Sequence, residues 1–559
     1  MLAIKSGAAL EVESLPQRQT IPGYLTDICQ RYGEREAVVM RGPDGTTLRH
    51  SYAEFAGLVE QVAKALIASG VDRGTRVGVL MSNRTEYLAA AFGIAAAGGV
   101  CVALNTFSTA SELHLQLNEA AVAVLLFEER VLKQDFAATL RSLTGEGCAP
   151  FVSLPFLREM VWLPSVTSTQ APASIDKQMT SWSEFLSRST VVSSALLAAR
   201  QGQLYPGDPA GIFFSSGTTS RPKGIIHSQR AFVIQWVRCP RIFAVGDASR
   251  TWTGNGFFWS ANIAMAVGCA FSSGGAIIIQ PVFDENVALE LIAQERISFL
   301  MGRPHQWSRL KAASGWDSAD LSSLKQITKG EIITSHPTVD TDWVVPNSFG
   351  TTETLALCTS FDANTSEEDY AQSFGGPLPG NTLKVVNPMS GEPVACGERG
   401  EICIKGPTLM LGYLGKLWED CFDEQGYYRT GDGGYVDAQG RLYWEGRLTD
   451  IIKCGGANVS PEEVDTAIAA FPGVKRTQTL GVPDDLLGET IVSCIVPVAG
   501  AELDSDRLRT HLKQQLASYK LPRVILYFSD SEYPLTANEK VKTAELRQLV
   551  ETRLKNNNL

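Results

Sequence analysis

The chain has 559 residues, 44% of them apolar, and a formal net charge of −11. That length exceeds one ordinary domain and predicts two or more, each with enough apolar material for a core. The acidic balance and the absence of a basic block exclude nucleic acid as a main partner, because gripping a phosphate backbone needs clustered Lys and Arg.

The 11 cysteines run from Cys29 to Cys494 with no C-x-x-C pair, and the six histidines form no ligand cluster with them. This pattern speaks against a structural zinc site and for free thiols in a reducing compartment. Met1 to Ser6 has no apolar core of signal-peptide length, so a cytoplasmic protein is expected.

In chain order, Ser51 to Gly70 carries apolar residues at helical spacing, and Arg76 to Met81 reads as a buried strand. A second helix–strand pair runs through Val100 to Leu104, and a third ends at Val122 to Phe127. Such alternation predicts a parallel sheet covered on both faces. Tyr87 to Ser111 is uncharged and long enough to span a membrane, but Gly93, Gly98, Gly99 and Asn105 predict a buried helix, a glycine turn and a buried strand instead. Residues 145–203 are rich in Pro, Ser and Thr with weak periodicity, which predicts a surface insertion.

Ser215 to Gly224, S-S-G-T-T-S-R-P-K-G, follows the apolar run Gly211-Ile212-Phe213-Phe214. The hydroxyls of Ser215, Ser216, Thr218 and Thr219, with backbone N–H groups freed by Gly217, suit phosphate oxygens, and Lys223 adds a compact positive charge. The spacing lacks the second glycine and the Ser/Thr after lysine of the P-loop of NTPases, which excludes that motif. Taken alone, the run also suits a polar surface turn.

Beyond it, His227 to Val237 predicts a helix packed behind the loop, and Phe257-Phe258-Trp259-Ser260 begins an apolar wall. Lys329-Gly330-Glu331 and Asn347-Ser348-Phe349-Gly350-Thr351-Thr352-Glu353 follow. Gly397 to Ile402 and Gly412-Tyr413 fit a smaller β-rich subdomain. Then come Tyr428-Arg429-Thr430-Gly431-Asp432, Gly446-Arg447-Leu448-Thr449-Asp450, a glycine turn around Lys453, a helix start at Ser460-Pro461-Glu462-Glu463, and Pro534-Leu535-Thr536-Ala537-Asn538-Glu539-Lys540.

These stretches, in this order over most of the chain, resemble the acyl-adenylate-forming enzymes: acyl-CoA synthetases, adenylation domains of peptide synthetases, and luciferases. Ser51-Tyr52-Ala53-Glu54 and Ala96 to Leu104 also resemble early motifs of that family. Four positions depart from its pattern. Ser220 and Glu539 stand at usual glycines, Phe349 at a usual tyrosine, and Thr449 at a usual Asp or Lys hinge.

The resemblance implies an α/β fold with a large N-terminal domain of parallel-type sheets with covering helices plus a small β-rich subdomain, residues 1–448. A small mobile α+β C-terminal domain, residues 449–559, follows a hinge at Thr449–Asp450. It implies ATP, Mg2+ and coenzyme A as cofactors, with a carrier protein's phosphopantetheine as an alternative acceptor. Ser215 to Thr219 and Lys223 are expected at the phosphates, and Gly330, Glu331, Asn347 and Phe349 around the adenine. Thr352 is expected at the α-phosphate, Glu353 at the metal, and Asp432 and Arg447 at the ribose. Lys540 is expected to serve adenylation and Lys453 the thiol step, with the acid pocket along Trp236, Phe257, Trp259, Gly302, Ser348 and Gly350. Amino-acid-activating relatives carry an aspartate in the register of Trp259; an ammonium buried without that counter-charge is costly, so an α-amine is disfavoured. The expected reaction is ATP-dependent conversion of a hydrophobic carboxylic acid to its thioester. A non-catalytic nucleotide-binding protein is the alternative from another class.

Overall fold

A computed structural model describes residues 1–42, 44–145, 151–167, 178–215, 222–363, 365–370, 372–448, 452–454, 457–484, 488–516, 520–536 and 539–556. The chain divides into two compact units. One comprises Lys5–Thr382 with Ile404–Tyr428, the other Met1–Ile4, Leu383–Cys403 and Arg429–Leu559.

The larger unit is built on two sheets. In the first, Met179–Ser181, Glu159–Leu163, Val124–Glu128, Arg76–Leu80, Val100–Ala103 and Pro209–Ser215 run parallel, and Lys223–Ser228 and Gly412–Tyr413 close the edge antiparallel. In the second, Phe299–Met301, Arg250–Thr253, Ala276–Ile279 and Glu36–Arg41 are parallel, and Thr47–Ser51 turns back antiparallel. Helix Tyr52–Ala68 begins where Ser51 and Glu54 cap it reciprocally, the Ser51 oxygen accepting from the Glu54 N–H and the Glu54 carboxylate from the Ser51 N–H. Helices Thr85–Ala97, Gln229–Ile242 and Ser260–Ser272 bury most of their surface in one core, where Phe92 and Trp236 stack at 5.0 Å.

The uncharged stretch is what its glycines predict: a buried helix, Gly98 in the left-handed region at φ 91°, and the buried strand Val100–Ala103. Among the described residues no helix is long and apolar enough to cross a membrane. Two expectations are corrected. The described part of residues 145–203 is not all surface insertion, because Glu159–Leu163 pairs with Val124–Glu128 inside the large sheet and Met179–Ser181 extends it. The apolar run Met160 to Leu163 was masked by its Pro- and Ser-rich flanks. Gly412–Tyr413 likewise belongs to the large sheet, paired with Ile225 and Ile226, and not to the β-rich subdomain.

In the smaller unit, Thr382–Val386, Gly400–Lys405, Tyr428–Val436 and Leu442–Arg447 are neighbours in one sheet. A second sheet pairs the long antiparallel strands Val474–Asp484 and Gly488–Pro497, with Val524–Tyr527 parallel to the latter. Helix Pro461–Ala469, with Pro at its start and Glu462 and Glu463 in its first turn, packs Val464 and Ile468 against Ile491 and Ile495.

Candidate active site

Strand Pro209–Ser215 and strand Lys223–Ser228 form a hairpin in which Ser215 lies opposite Lys223, so both ends of the phosphate loop are held side by side. Ser216, Gly217, Thr218 and Thr219 lie outside the described residues. Lys223 is exposed, and its Nζ lies 5.2 Å from the centroid of the Tyr413 ring. The Tyr413 hydroxyl donates to Glu353 Oε1 at 2.8 Å, so one tyrosine links the loop lysine to the glutamate of the T-E pair. Burial, reinforced by the Glu353 charge, pushes the Tyr413 phenol well above its ordinary range, and it stays a neutral donor. Residue-by-residue reading missed this role, since only strand pairing brings Tyr413 beside Ile225.

Thr352 and Glu353 ride on the short turn Thr352–Thr354 after strand Ser348–Phe349. A Cβ on Gly350 would lie 1.5 Å from the Ala356 carbonyl oxygen, so only glycine fits there. The turn leaves through Leu355 and Ala356 at φ 51° and 86°, a left-handed path costly for residues with side chains. Buried groups hold its carbonyls: His227 Nε2 donates to Thr352 O at 2.8 Å, and Gln235 Nε2 donates to Thr354 O at 3.0 Å and Leu357 O at 2.8 Å. Burial pushes the His227 pKa down to about 4, which keeps the ring neutral. Asn347 donates its amide N–H to Ser373 O at 3.2 Å, which commits the donor end of the side chain and orients the acceptor end. Phe349 is buried, its N–H donated to Thr359 Oγ1.

A cavity of about 460 Å³ lies beside this turn, lined by Trp259, Gly302, Ser348 and Glu331 together with Phe299, Trp307 and Trp343. Burial raises the Glu331 carboxyl above its usual range. Trp236 and Phe257, expected along the acid pocket, do not line it. Trp236 faces the core, its Nε1 donated to Ile263 O at 3.0 Å, and Phe257 packs on Tyr87 at 5.7 Å. The helix face carrying Trp236 is decided by the helices packed against it. Gly350 lies on the hairpin and is likewise not among the lining residues, and Gly330 sits at φ 90° in open space.

In the smaller unit, Asp432 and Arg447 lie directly opposite each other on the antiparallel ladder of Tyr428–Val436 and Leu442–Arg447. Arg447 Nε approaches Asp432 Oδ1 at 3.1 Å, and Arg447 Nη1 donates to Thr430 O at 2.6 Å. Lys540 is exposed, and its carbonyl oxygen accepts from the Thr536 N–H at 2.8 Å. Glu539 has φ 57°, a left-handed backbone that a glycine adopts without strain, in accord with the glycine expected there from the resemblance. Lys453 lies on strand Ile452–Cys454, opposite Asn458. Thr449 and Asp450 lie outside the described residues.

Among the described residues no group of three or more His, Cys, Asp or Glu gathers to hold a metal. Glu353 offers a single half-buried carboxylate. One carboxylate completed by substrate phosphates and water is a donor set that fits magnesium.

Comparison with known proteins accords with this geometry. The AMP-binding enzyme family matches residues 25–414, and the AMP-binding enzyme C-terminal domain matches residues 463–540. An indoleacetate–CoA ligase of Aromatoleum aromaticum is 30% identical over 505 residues, covering 89% of this chain and 93% of the relative. A medium-chain acyl-CoA ligase of Danio rerio is 28% identical, covering 96% and 89%, and a feruloyl-CoA synthase of an Amycolatopsis species is 29% identical, covering 90% and 96%. The fold is similar to that of ATP-bound MatB from Rhodopseudomonas palustris, with a TM-score of 0.76 at 23% identity over 95% of this chain and 99% of that one. Two matched segments spanning most of the sequence, on a fold that brings the T-E turn beside the phosphate-loop strands, establish that the chain belongs to the AMP-binding enzyme family.

Proposed function

We infer that this protein is an AMP-forming acid–thiol ligase: it activates a hydrophobic carboxylic acid with ATP, releasing pyrophosphate, and transfers the acyl group to the thiol of coenzyme A. The observation that carries this reading is an aromatic cavity adjoining the turn of Thr352 and Glu353 in a chain matched by both family segments. The names of the relatives above support coenzyme A as acceptor and make aryl and medium-chain acids the first to test. A carrier-protein thiol gains no support from them. Trp259 lining the cavity accords with an acid lacking an α-amine.

A carboxylate attacking the α-phosphorus brings anion to anion, so the enzyme's work is positioning and charge stabilisation. In this reading Lys223 and the loop from Ser215 to Thr219 hold the departing pyrophosphate, and Thr352 donates to the α-phosphate. Asn347 accepts from the adenine amino group beside Phe349, Gly330 and Glu331, and Asp432 accepts both ribose hydroxyls with Arg447 beside it. Glu353 would hold magnesium, which when bound supplies positive charge to the phosphate oxygens. Lys540 bridges carboxylate and α-phosphate in the first step. Residues 449–559 then turn about Thr449–Asp450, and the segment of Lys453 serves the second step.

The test is acid-dependent pyrophosphate release from ATP over a panel of aryl, alicyclic and fatty acids, followed by acyl-CoA formation. No release with any acid would leave a nucleotide-binding protein without ligase activity.

A further inference from the structure

The cavity is aromatic and aliphatic along most of its wall, yet among the described residues Arg303 lines it as the one cation. Arg303 follows strand Phe299–Met301 and Gly302, and directly precedes helix Pro304–Ala312. Its backbone is pinned, because the N–H donates to Gln306 Oε1 at 2.8 Å and the same buried side chain donates through Nε2 to Gly254 O at 2.8 Å. The guanidinium itself is loosely held. Nε reaches Asn255 Oδ1 at 3.4 Å, and no carboxylate of the described residues pairs with it.

Asn255 is in turn built into place. Its carbonyl accepts from Asn83 Nδ2 at 2.8 Å and Asn262 Nδ2 at 2.5 Å, and both asparagines are buried. One corner of an apolar cavity is therefore a preformed polar seat around an arginine that lacks a counter-charge. Arg303 is half-buried, so an oxygen acceptor that reaches it there competes with less water than on an open surface, and its planar fork is shaped for such acceptors. Glu331 lies on the same cavity but forms no ion pair with Arg303. It follows Thr328–Gly330, and with Ser348 and Leu357 belongs to the part of the wall nearer in sequence to Thr352 and Glu353. Arg303 comes from a separate strand end, so it is not part of the segment expected to receive the reacting carboxylate.

We propose that Arg303 is a specificity-determining residue, and that the preferred acid is bifunctional: a ring body with a second oxygen acceptor, remote from the reacting carboxyl, which the guanidinium receives. This deepens the ligase reading and rests on it for the assignment of the cavity to the acid. The shared chemistry is a planar oxygen acceptor, from either a ketone or a second carboxylate.

The experiment uses the full-length protein and three matched probes: 3-phenylpropanoate, 3-(4-acetylphenyl)propanoate and 3-(4-carboxyphenyl)propanoate. Rates of acid-dependent pyrophosphate release and calorimetric affinities are measured for each. The parent should favour at least one acceptor-bearing acid by about tenfold or more, since a site built to hydrogen-bond a substrate group rejects the analogue lacking it. Which one is favoured separates ketone from carboxylate. In Arg303→Met the ratio should fall to within about twofold of one, and Arg303→Gln, which keeps a donor, should retain part of it. Circular dichroism confirms that each variant is folded. Equal loss on all three acids, a ratio unchanged by either variant, or a parent without preference would overturn the proposal. If no probe releases pyrophosphate, the wider acid panel decides the ligase reading, while the calorimetric ratio still decides the role of Arg303.

Discussion

Asp432 and Arg447 are register partners on one antiparallel ladder, with Arg447 Nε 3.1 Å from a carboxylate that is almost wholly buried. Two motifs separated in the sequence are thus one polar unit, and each side chain fixes the other.

Asp432→Ala should weaken ATP by on the order of 1–3 kcal/mol, the cost of losing hydrogen bonds to a charged group. The KM for ATP should approach that for its 2′-deoxy analogue. A variant that distinguishes the two nucleotides as well as the parent would show Asp432 to be structural only.

Tyr413→Phe removes the hydroxyl that donates to Glu353 while keeping the ring beneath Lys223. Glu353 should be held less firmly, at a cost of about 1 kcal/mol. The expected outcome is a several-fold higher magnesium concentration for half-maximal pyrophosphate release, with little change in the KM of the acid. An unchanged magnesium titration would separate Tyr413 from the site.

The His227 ring is neutral in the fold, with a pKa pushed from 6.5 down to about 4 by burial. In the unfolded chain it binds a proton near pH 6.5, so between about pH 6.5 and pH 4 the unfolded state holds more protons than the native one. Its contribution to stability is therefore fully present above that window and is lost as pH falls through it, by about 3 kcal/mol in all. Urea denaturation at pH 7.5 and pH 5 should show this slope in the parent and a shallower one in His227→Gln. Equal slopes would contradict the assignment.

At Gly302 a Cβ would lie 2.4 Å from the Trp307 ring. Gly302→Ala is therefore enough to displace the tryptophan into the cavity, an overpacking cost of about 1–3 kcal/mol. The KM of bulky acids should rise while that of ATP holds. Parallel loss of both would mean general unfolding of the wall.

For the two lysines the half-reactions are measured separately. Lys540→Ala should slow pyrophosphate release by about 100-fold or more, as expected for loss of a charge that stabilises the transition state, and spare thioester formation from supplied acyl-adenylate. Lys453→Ala should do the reverse. Parallel loss of both steps in both variants would end the model of two orientations.

The sequence by itself determined the family and the fold class and pointed to the proposed reacting groups, because phosphate, ribose and metal chemistry demand particular residue types at short spacing. S-S-G-T-T-S-R-P-K-G, T-T-E, Y-R-T-G-D and the Lys540 stretch are all local. The alternation from Ser51 to Phe127 likewise disclosed the parallel sheet, since burial on both faces writes continuous apolar runs into a strand. Tertiary structure alone decided what depends on contacts between distant segments. Tyr413 meets Glu353 across 60 residues and His227 meets Thr352 across 125, and no periodicity encodes either bond. Which aromatic groups line the cavity was equally illegible: Trp236 and Trp259 are both expected along the acid pocket, yet packing against Phe92 turns the first into the core, while the second lines the cavity with Arg303. Hydrophobic character drives a side chain out of water without choosing its neighbour, and that choice is made only when the helices and sheets dock.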